Sequence, residues 1–189
     1  MIILIRPIKA ECAEDKSKNG KVNVLKKTYD FIMDCEYVSG YLCDPDNALS
    51  EFETTKMSLL MQPNGKIKKE NGNVAYHLIQ SFPKDLEISD DEVHQCGLEL
   101  CKKINAHQAV ICTHYHPLKN KFGDIYCECK HNHILLNAYI HPDKLDPNNP
   151  KIIKYHDSKR TYAQLRVWND EIAIEHGLPI IHNPKDASY

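Results

Sequence analysis

The apolar positions along the chain follow two different periods. Residues 2–8 (IILIRPI) are rich in Ile and weakly alternating, which predicts a strand. Asn23 is placed to cap a helix running to about Asp34, with Val24, Thr28 and Phe31 on one face. Asp44-Pro45 signals the start of a second helix carrying Leu49, Phe52 and Met57. Beyond a Gly/Asn/Lys-rich turn region at 62–73, Asn73–Phe82 (NVAYHLIQSF) reads as a strand that Pro83 ends. Ser89 and Glu92 form a capping box for a helix to Asn105, whose stripe is Val93, Cys96, Gly97, Leu100 and Ile104. Strands follow at 108–114 (QAVICTH) and 130–140 (KHNHILLNAYI), separated by a long loop, 115–128. A last helix runs from about Ser158 to His176 and stops at Gly177. Polar loops are expected at 14–21 and 142–150.

This irregular alternation predicts an α+β fold: a central antiparallel sheet with helices packed mainly on one face. No Gly-rich phosphate loop follows a strand, so nucleotide-binding folds lose their main support.

Composition adds limits. The 189 residues, 42% hydrophobic and 26% charged, suit one domain with a real core. A net charge of −2 excludes a global basic field, so a nucleic-acid partner would have to be held by local patches or by a metal. Two strips qualify as phosphate-contact surfaces. One holds Lys16, Lys18, Lys21, Lys26 and Lys27; the other holds Lys151, Lys154, Lys159, Arg160 and Arg166 against Asp157 alone. Nothing is apolar for long enough to span a membrane, and the opening residues lack a basic n-region, so no membrane partner and a cytoplasmic location are expected. There the eight Cys would be mostly reduced, with Cys96 and Cys101 as core fillers.

The densest chemistry is His131-Asn132-His133-Ile134-Leu135-Leu136-Asn137. Side chains in a strand alternate, so His131, His133, Leu135 and Asn137 share one face. Two imidazoles with Cα atoms about 7 Å apart suit one metal ion. The preceding strand ends in Thr113-His114-Tyr115-His116, and antiparallel pairing would bring His114 beside that pair. Three neutral imidazoles with open positions describe a catalytic site for Mn²⁺, Mg²⁺ or Zn²⁺. A rival reading takes Cys127, Cys129, His131 and His133 as a closed zinc site. On one straight strand these four would span about 20 Å, so the chain would have to fold back at residue 127 or 129.

His114-x-His116 followed by His131-Asn-His133-Ile-Leu-Leu-Asn137 resembles the third motif of conjugative relaxases (mobilisation nucleases) of the MobP type, in the HUH-like superfamily. Tyr76-His77-Leu-Ile-Gln80-Ser81-Phe82 resembles their second motif. Lys154-Tyr155-His156-Asp-Ser-Lys159-Arg160-Thr-Tyr162 and Glu175-His176-Gly177-Leu178 are similar to the stretches that close the domain. The order holds across roughly residues 1–181, leaving 182–189 as a tail of what would be a longer protein.

The resemblance implies a site- and strand-specific DNA endonuclease and transesterase. It would nick single-stranded or hairpin origin-of-transfer DNA to start conjugative transfer or mobilisation of a plasmid or transposon. It also implies one divalent ion on His114, His131 and His133, a phosphate hydrogen-bonded by Ser81, and DNA contacts by His77, Gln80, Lys154, His156, Lys159, Arg160 and Arg166. Accessory relaxosome proteins and a coupling protein are the further partners it suggests. Two departures stand out. The family's first motif places a nucleophilic tyrosine in the first helix, where Leu25-Lys-Lys-Thr-Tyr29-Asp30-Phe31-Ile32 has Phe31. Either this is a substituted site in which cleavage is stopped, or another tyrosine attacks: Tyr29, about 200° around the helix, or Tyr37 or Tyr41. His116 stands where the family has Asp, whose orienting role Asp124 or Glu128 would have to take. The competing functions are a zinc-stabilised DNA-binding or interaction module without catalysis, and a metal-dependent hydrolase of small phosphoesters.

Overall fold

The computed structural model describes residues 2–180 apart from 10–14, 18–19, 23, 63, 67, 69–71, 84–85, 120–124, 150–152 and 157, with the backbone alone at 2, 15–17, 20–22, 116–119 and 125–128. In chain order the elements are β1 (Ile2–Lys9), β2 (Asp15–Ser17), β3 (Gly20–Val22), α1 (Val24–Met33), β4 (Tyr37–Tyr41), α2 (Ala48–Leu60), β5 (Asn73–Ser81), α3 (Asp90–Ile104), β6 (His107–Lys119), β7 (Ile125–Ile140) and α4 (Lys159–Glu175). Five strands pair antiparallel in the order β1-β5-β7-β6-β4, and β2 with β3 makes a separate two-stranded ribbon. The expected α+β architecture is what the chain adopts.

Local chemistry accounts for the elements. Ser89 caps α3 by accepting from the Glu92 N–H, and Asp90, Asp91 and Glu92 place negative charge at its N-terminus while Lys102 and Lys103 sit in its last turn. Ser158 caps α4 by accepting from the Thr161 N–H, and Gly177, at φ +65°, turns the chain out of the helix. Asp44 caps a short 3-10 turn at Pro45–Asn47 that leads into α2.

Period-two alternation divides the sheet into two faces. On one face the larger core gathers Ile3, Tyr76, Leu78, Ile111, Ile134 and Leu136 against Val93, Cys96, Leu100, Leu165 and Ile172 of α3 and α4. On the other face, Ile8, Ala75, Val110, Cys112 and Leu135 pack under Ile32 of α1 and Ala48 and Phe52 of α2. The larger helical layer thus covers one face, and α1 and α2 add a smaller cap to one end of the other.

Two segments depart from the sequence expectation. The stretch read as a loop at 115–128 is largely strand, since β6 reaches Lys119 and β7 starts at Ile125, pairing as far as Lys119 with Ile125. β4, which the alternation did not predict, pairs with β6 from Tyr37↔Thr113 to Tyr41↔Ala109. Its Gly40 is required by a close approach: a Cβ there would lie 2.1 Å from the Cys43 carbonyl oxygen. Within the polar 14–21 stretch, β2 and β3 pair over three residue pairs.

Candidate metal centre and strand-transfer site

The β6–β7 register sets His114 directly opposite His131, with Cys112 opposite His133. On the other side of β7, Ser81 lies opposite His131 and Ile79 opposite His133. Directly paired residues share a face, so His114, His131, His133 and Ser81 project from the same side of the sheet. That side is the one carrying α1. One potential ligand nitrogen from each of the three histidines falls within 4.8 Å of the others. The ring centroids of His114 lie 4.2 Å from His131 and 4.8 Å from His133.

The neighbours of these rings fix which nitrogen faces the centre. His131 donates its Nδ1–H to the Cys129 carbonyl at 3.0 Å, which leaves the Nε2 lone pair for a metal. His133 Nδ1 meets His77 Nε2 at 2.7 Å, and the tautomer in which His133 donates likewise frees its Nε2. His77 is suited to accept: burial, helped by the Arg6 and His131 charges, pushes its pKa down to about 4, so it is neutral near pH 7. The donor set, three imidazoles on one sheet face with two of them held by hydrogen bonds, fits a divalent ion with coordination positions left for water or substrate.

Position 31 closes the site from above. The Phe31 ring lies roughly perpendicular to the rings of His133, at 5.1 Å, and His114, at 5.2 Å between centroids, while remaining 39% exposed. Tyr29 turns elsewhere, donating its hydroxyl to the carbonyls of Pro45 at 2.6 Å and Asp46 at 3.0 Å. Burial and the charges of Asp46, Asp44 and Asp30 raise its pKa. Tyr37 packs near His94 on the opposite face, and the Tyr41 hydroxyl reaches Asn105. Of the four aromatic candidates, the fold brings Phe31 to the histidines.

Other expectations need correction. Gln80, read as a DNA contact, is fully buried on the α3/α4 face, where it accepts from Asn132 and donates to Asn169. Strand parity is the reason: Gln80 lies between His77, Ile79 and Ser81 in sequence but points away from them. His77, also read as a DNA contact, is half-buried against His133. Asn137 shares the histidine face but is buried under α2, bonded to Gln108 and to the Tyr139 N–H. The basic strip around α4 does not flank the histidines. Lys154 bridges Tyr139, six residues and about 20 Å along β7 from His133, with its ammonium over that ring. Lys159, Arg160 and Arg166 belong to α4, on the opposite side of the sheet, where Arg166 stacks over Tyr162 and His156 accepts from Thr161 through its carbonyl. In the strip that runs from Lys16 to Lys27, Lys26 pairs with Asp30 at 2.8 Å and Lys27 is exposed. The side chains of His116, Glu128, Cys127, Lys16 and Lys21, together with Lys18, Asp124, Lys151, Asp157 and the tail 182–189, lie outside the described residues.

A set of polar residues beneath the histidine strand escaped the sequence reading. Thr113 donates to Asn132 Oδ1 at 2.6 Å, so its oxygen accepts from His94 Nδ1–H at 2.8 Å. His94 Nε2 then accepts from Ser39 at 2.8 Å. Asn132 donates in turn to Gln80 and to the Val93 carbonyl. The chain of bonds runs one way from Ser39 to Asn169 with every link used, and it fastens the residue between the two ligand histidines to α3 and β5. The signal was the Asn at the centre of His-x-His, a polar side chain that strand parity sends into the core.

Known proteins similar to this chain identify its family. The MobA/VirD2-like relaxase nuclease-domain model matches residues 24–178. Two proteins named rlx from Staphylococcus aureus are 32% and 31% identical over 166 residues, 87% of this chain. The chain spans 42% and 40% of their lengths. In shape it resembles a structure described under the molecular basis of vancomycin resistance transfer in Staphylococcus aureus, at 15% identity over 95% of each chain with a TM-score of 0.49. It also resembles the metal-bound conjugative relaxase TrwC in complex with oriT DNA, at 10% identity over 97% of this chain and 73% of that one, with a TM-score of 0.42. With its family model covering most of the residues, the chain belongs to the MobA/VirD2-like relaxases, as their nuclease domain.

Proposed function

We propose that residues 1–181 form the DNA-processing domain of a cytoplasmic relaxase. It binds single-stranded or hairpin DNA at an origin of transfer and sets one phosphodiester over His114, His131 and His133. The observation that carries this reading is the T-shaped contact of the ring at position 31 with two of those three rings. Accessory relaxosome proteins and a coupling protein belong to the same reading, as does mobilisation of a plasmid or transposon.

A phosphodiester resists attack because it is anionic and its transition state gathers more charge. A divalent ion on the three histidines (Mn²⁺, Mg²⁺ or Zn²⁺) would polarise the phosphate oxygens and stabilise that charge. Ser81, which lies opposite His131 on the same face, would donate to one of those oxygens. With tyrosine at 31, the phenolic oxygen would attack phosphorus and the P–O3′ bond would break. The phenol would release its proton to solvent and the departing 3′ oxygen would take one up, leaving the 5′ phosphate on the tyrosine. Phe31 has no hydroxyl. This chain therefore holds metal and DNA while leaving the strand intact.

Titrating Mn²⁺ calorimetrically with and without a single-stranded oligonucleotide tests the reading. A phosphate completing the coordination sphere should tighten Mn²⁺ binding. Equal affinity in both titrations would mean that ion and phosphate do not meet. The closed zinc alternative draws less support, because Cys129 offers His131 its carbonyl and the ligand cluster among the described residues consists of histidines alone.

A further inference from the structure

α1 and α2 cover only part of the histidine face. Along β1, Ile8 is buried beneath them, whereas Arg6 is exposed and Leu4 is 37% exposed. The register sets Arg6 opposite His77, Leu4 opposite Ile79 opposite His133, and Ile2 opposite Ser81 opposite His131. Leu4 and Arg6 therefore project from the same side as the metal ligands, on the edge strand two strands away. A shelf with the apolar side chains of Leu4 and Ile79, the Arg6 guanidinium and the Ser81 hydroxyl runs from the three histidines to the sheet edge.

We propose that this shelf seats the nucleotide adjoining the scissile phosphate, with Arg6 holding that nucleotide's phosphate and Leu4 and Ile79 lying under its sugar and base. The proposal rests on the strand-transfer reading above and adds a residue to it. Three observations favour single-stranded DNA as the occupant. The shelf is continuous with the site that would hold the scissile phosphate. Its cation is Arg6, in a chain of net charge −2 whose α4 basic residues lie on the other face. Its Cα atom is about 12 Å from that of His133, counting two strand spacings across and two residues along. A guanidinium suits the role because it grips a phosphate through a fixed fork of donors and stays charged at any working pH.

The test measures binding of a labelled single-stranded oligonucleotide of mixed sequence, over a range of salt, to the unmodified chain, Arg6→Gln, Arg6→Lys, Leu4→Glu and Lys144→Gln. Lys144, exposed beyond the far end of β7, is the control. Arg6→Gln should bind roughly tenfold more weakly at low salt and flatten the log–log salt dependence by about 0.7, the share of one phosphate on a single strand. Arg6→Lys should recover part of the affinity, and Leu4→Glu should weaken binding by repulsion. Mn²⁺ affinity without DNA should stay unchanged in Arg6→Gln, which separates this shelf from the metal site. Arg6→Gln matching Lys144→Gln in affinity and slope would overturn the proposal while leaving the strand-transfer reading standing. Absence of salt-dependent binding by the unmodified chain would overturn both.

Discussion

The rings of Phe31 and His133 meet edge to face, with centroids 5.1 Å apart and the two planes 82° from parallel. Aromatic edges carry partial positive charge, so an edge-to-face pair of this kind is mildly attractive and holds the side chain in one place. The helix beneath it is fixed independently by Ile32, which is fully buried, and by the hydroxyl of Tyr29 on the turn before α2. Residues 29, 31 and 32 thus divide the work: one anchors the helix end, one packs into the sheet, and one looks over the metal ligands.

Tyr29→Phe should lower stability by about 1 kcal/mol, the worth of a hydrogen bond whose backbone acceptors retain access to water. Placed in a Phe31→Tyr background, it should leave adduct formation with DNA in place. Loss of adduct with no change in fold would transfer the nucleophile role to Tyr29.

His131→Ala and His133→Ala should each reduce Mn²⁺ affinity to the limit of calorimetric detection, because two imidazoles hold a hard divalent ion poorly. His77→Ala removes the partner that orients His133 and should cost a smaller factor, about 10- to 100-fold. Equal losses at 77 and 133 would make His77 a ligand in its own right.

Much of the site was legible because parity and adjacency are local rules. His131 and His133 share a face by strand alternation, and one antiparallel turn brings His114 opposite His131. What escaped notice depends on non-local register. Nothing near Arg6 in sequence indicates that it lies opposite His77, and nothing near His77 indicates that its ring reaches diagonally to His133. Gln80 was misplaced although parity alone separates it from Ser81. β4 was missed since its five residues include Gly40, and their pairing with β6 is set by a distant partner strand.

Acid should destabilise the fold. His107 is buried with Nδ1 donating to the carbonyls of Asn137 and Tyr139, and burial pushes its pKa down to about 4 against the partial opposition of those bonds. Burial lowers His94 as well, against the raising effect of Asp91. The unfolded chain, with histidine near 6.5, binds more protons than the native one between about pH 6.5 and 4, so stability is lost as pH falls through that window. His176 acts with opposite sign. Burial favours its neutral form, but the bonds and charges of Glu99 and Glu92 outweigh that and raise its pKa, so its contribution fades as pH rises through the raised value. Urea unfolding at pH 7 and pH 5 should give a difference of about 2 kcal/mol in favour of pH 7 from His107, and His107→Asn should narrow it. An unchanged difference in that variant would remove His107 from the account.

Gly97→Ala probes the polar chain beneath the histidines. A Cβ at 97 would lie 2.7 Å from Asn132 Nδ2 and 3.0 Å from Ile111 Cγ2, both held in the core. The variant should lose about 1–3 kcal/mol by overpacking and weaken Mn²⁺ binding through the displaced Asn132. Retained stability and retained metal affinity would show that α3 yields without moving β7.

The central claim is that position 31 is where a tyrosine would attack a metal-bound phosphodiester. It is tested most directly by incubating Phe31→Tyr and the unmodified chain with Mn²⁺ and a pool of single-stranded oligonucleotides of randomised sequence, then measuring detergent-stable protein–DNA adducts by gel shift and peptide mapping. The account predicts adduct from Phe31→Tyr alone, attached through a 5′ phosphate at residue 31 and abolished by chelation of the metal. Adduct from both forms mapping to another tyrosine, or none from Phe31→Tyr while it binds both Mn²⁺ and DNA, would contradict it.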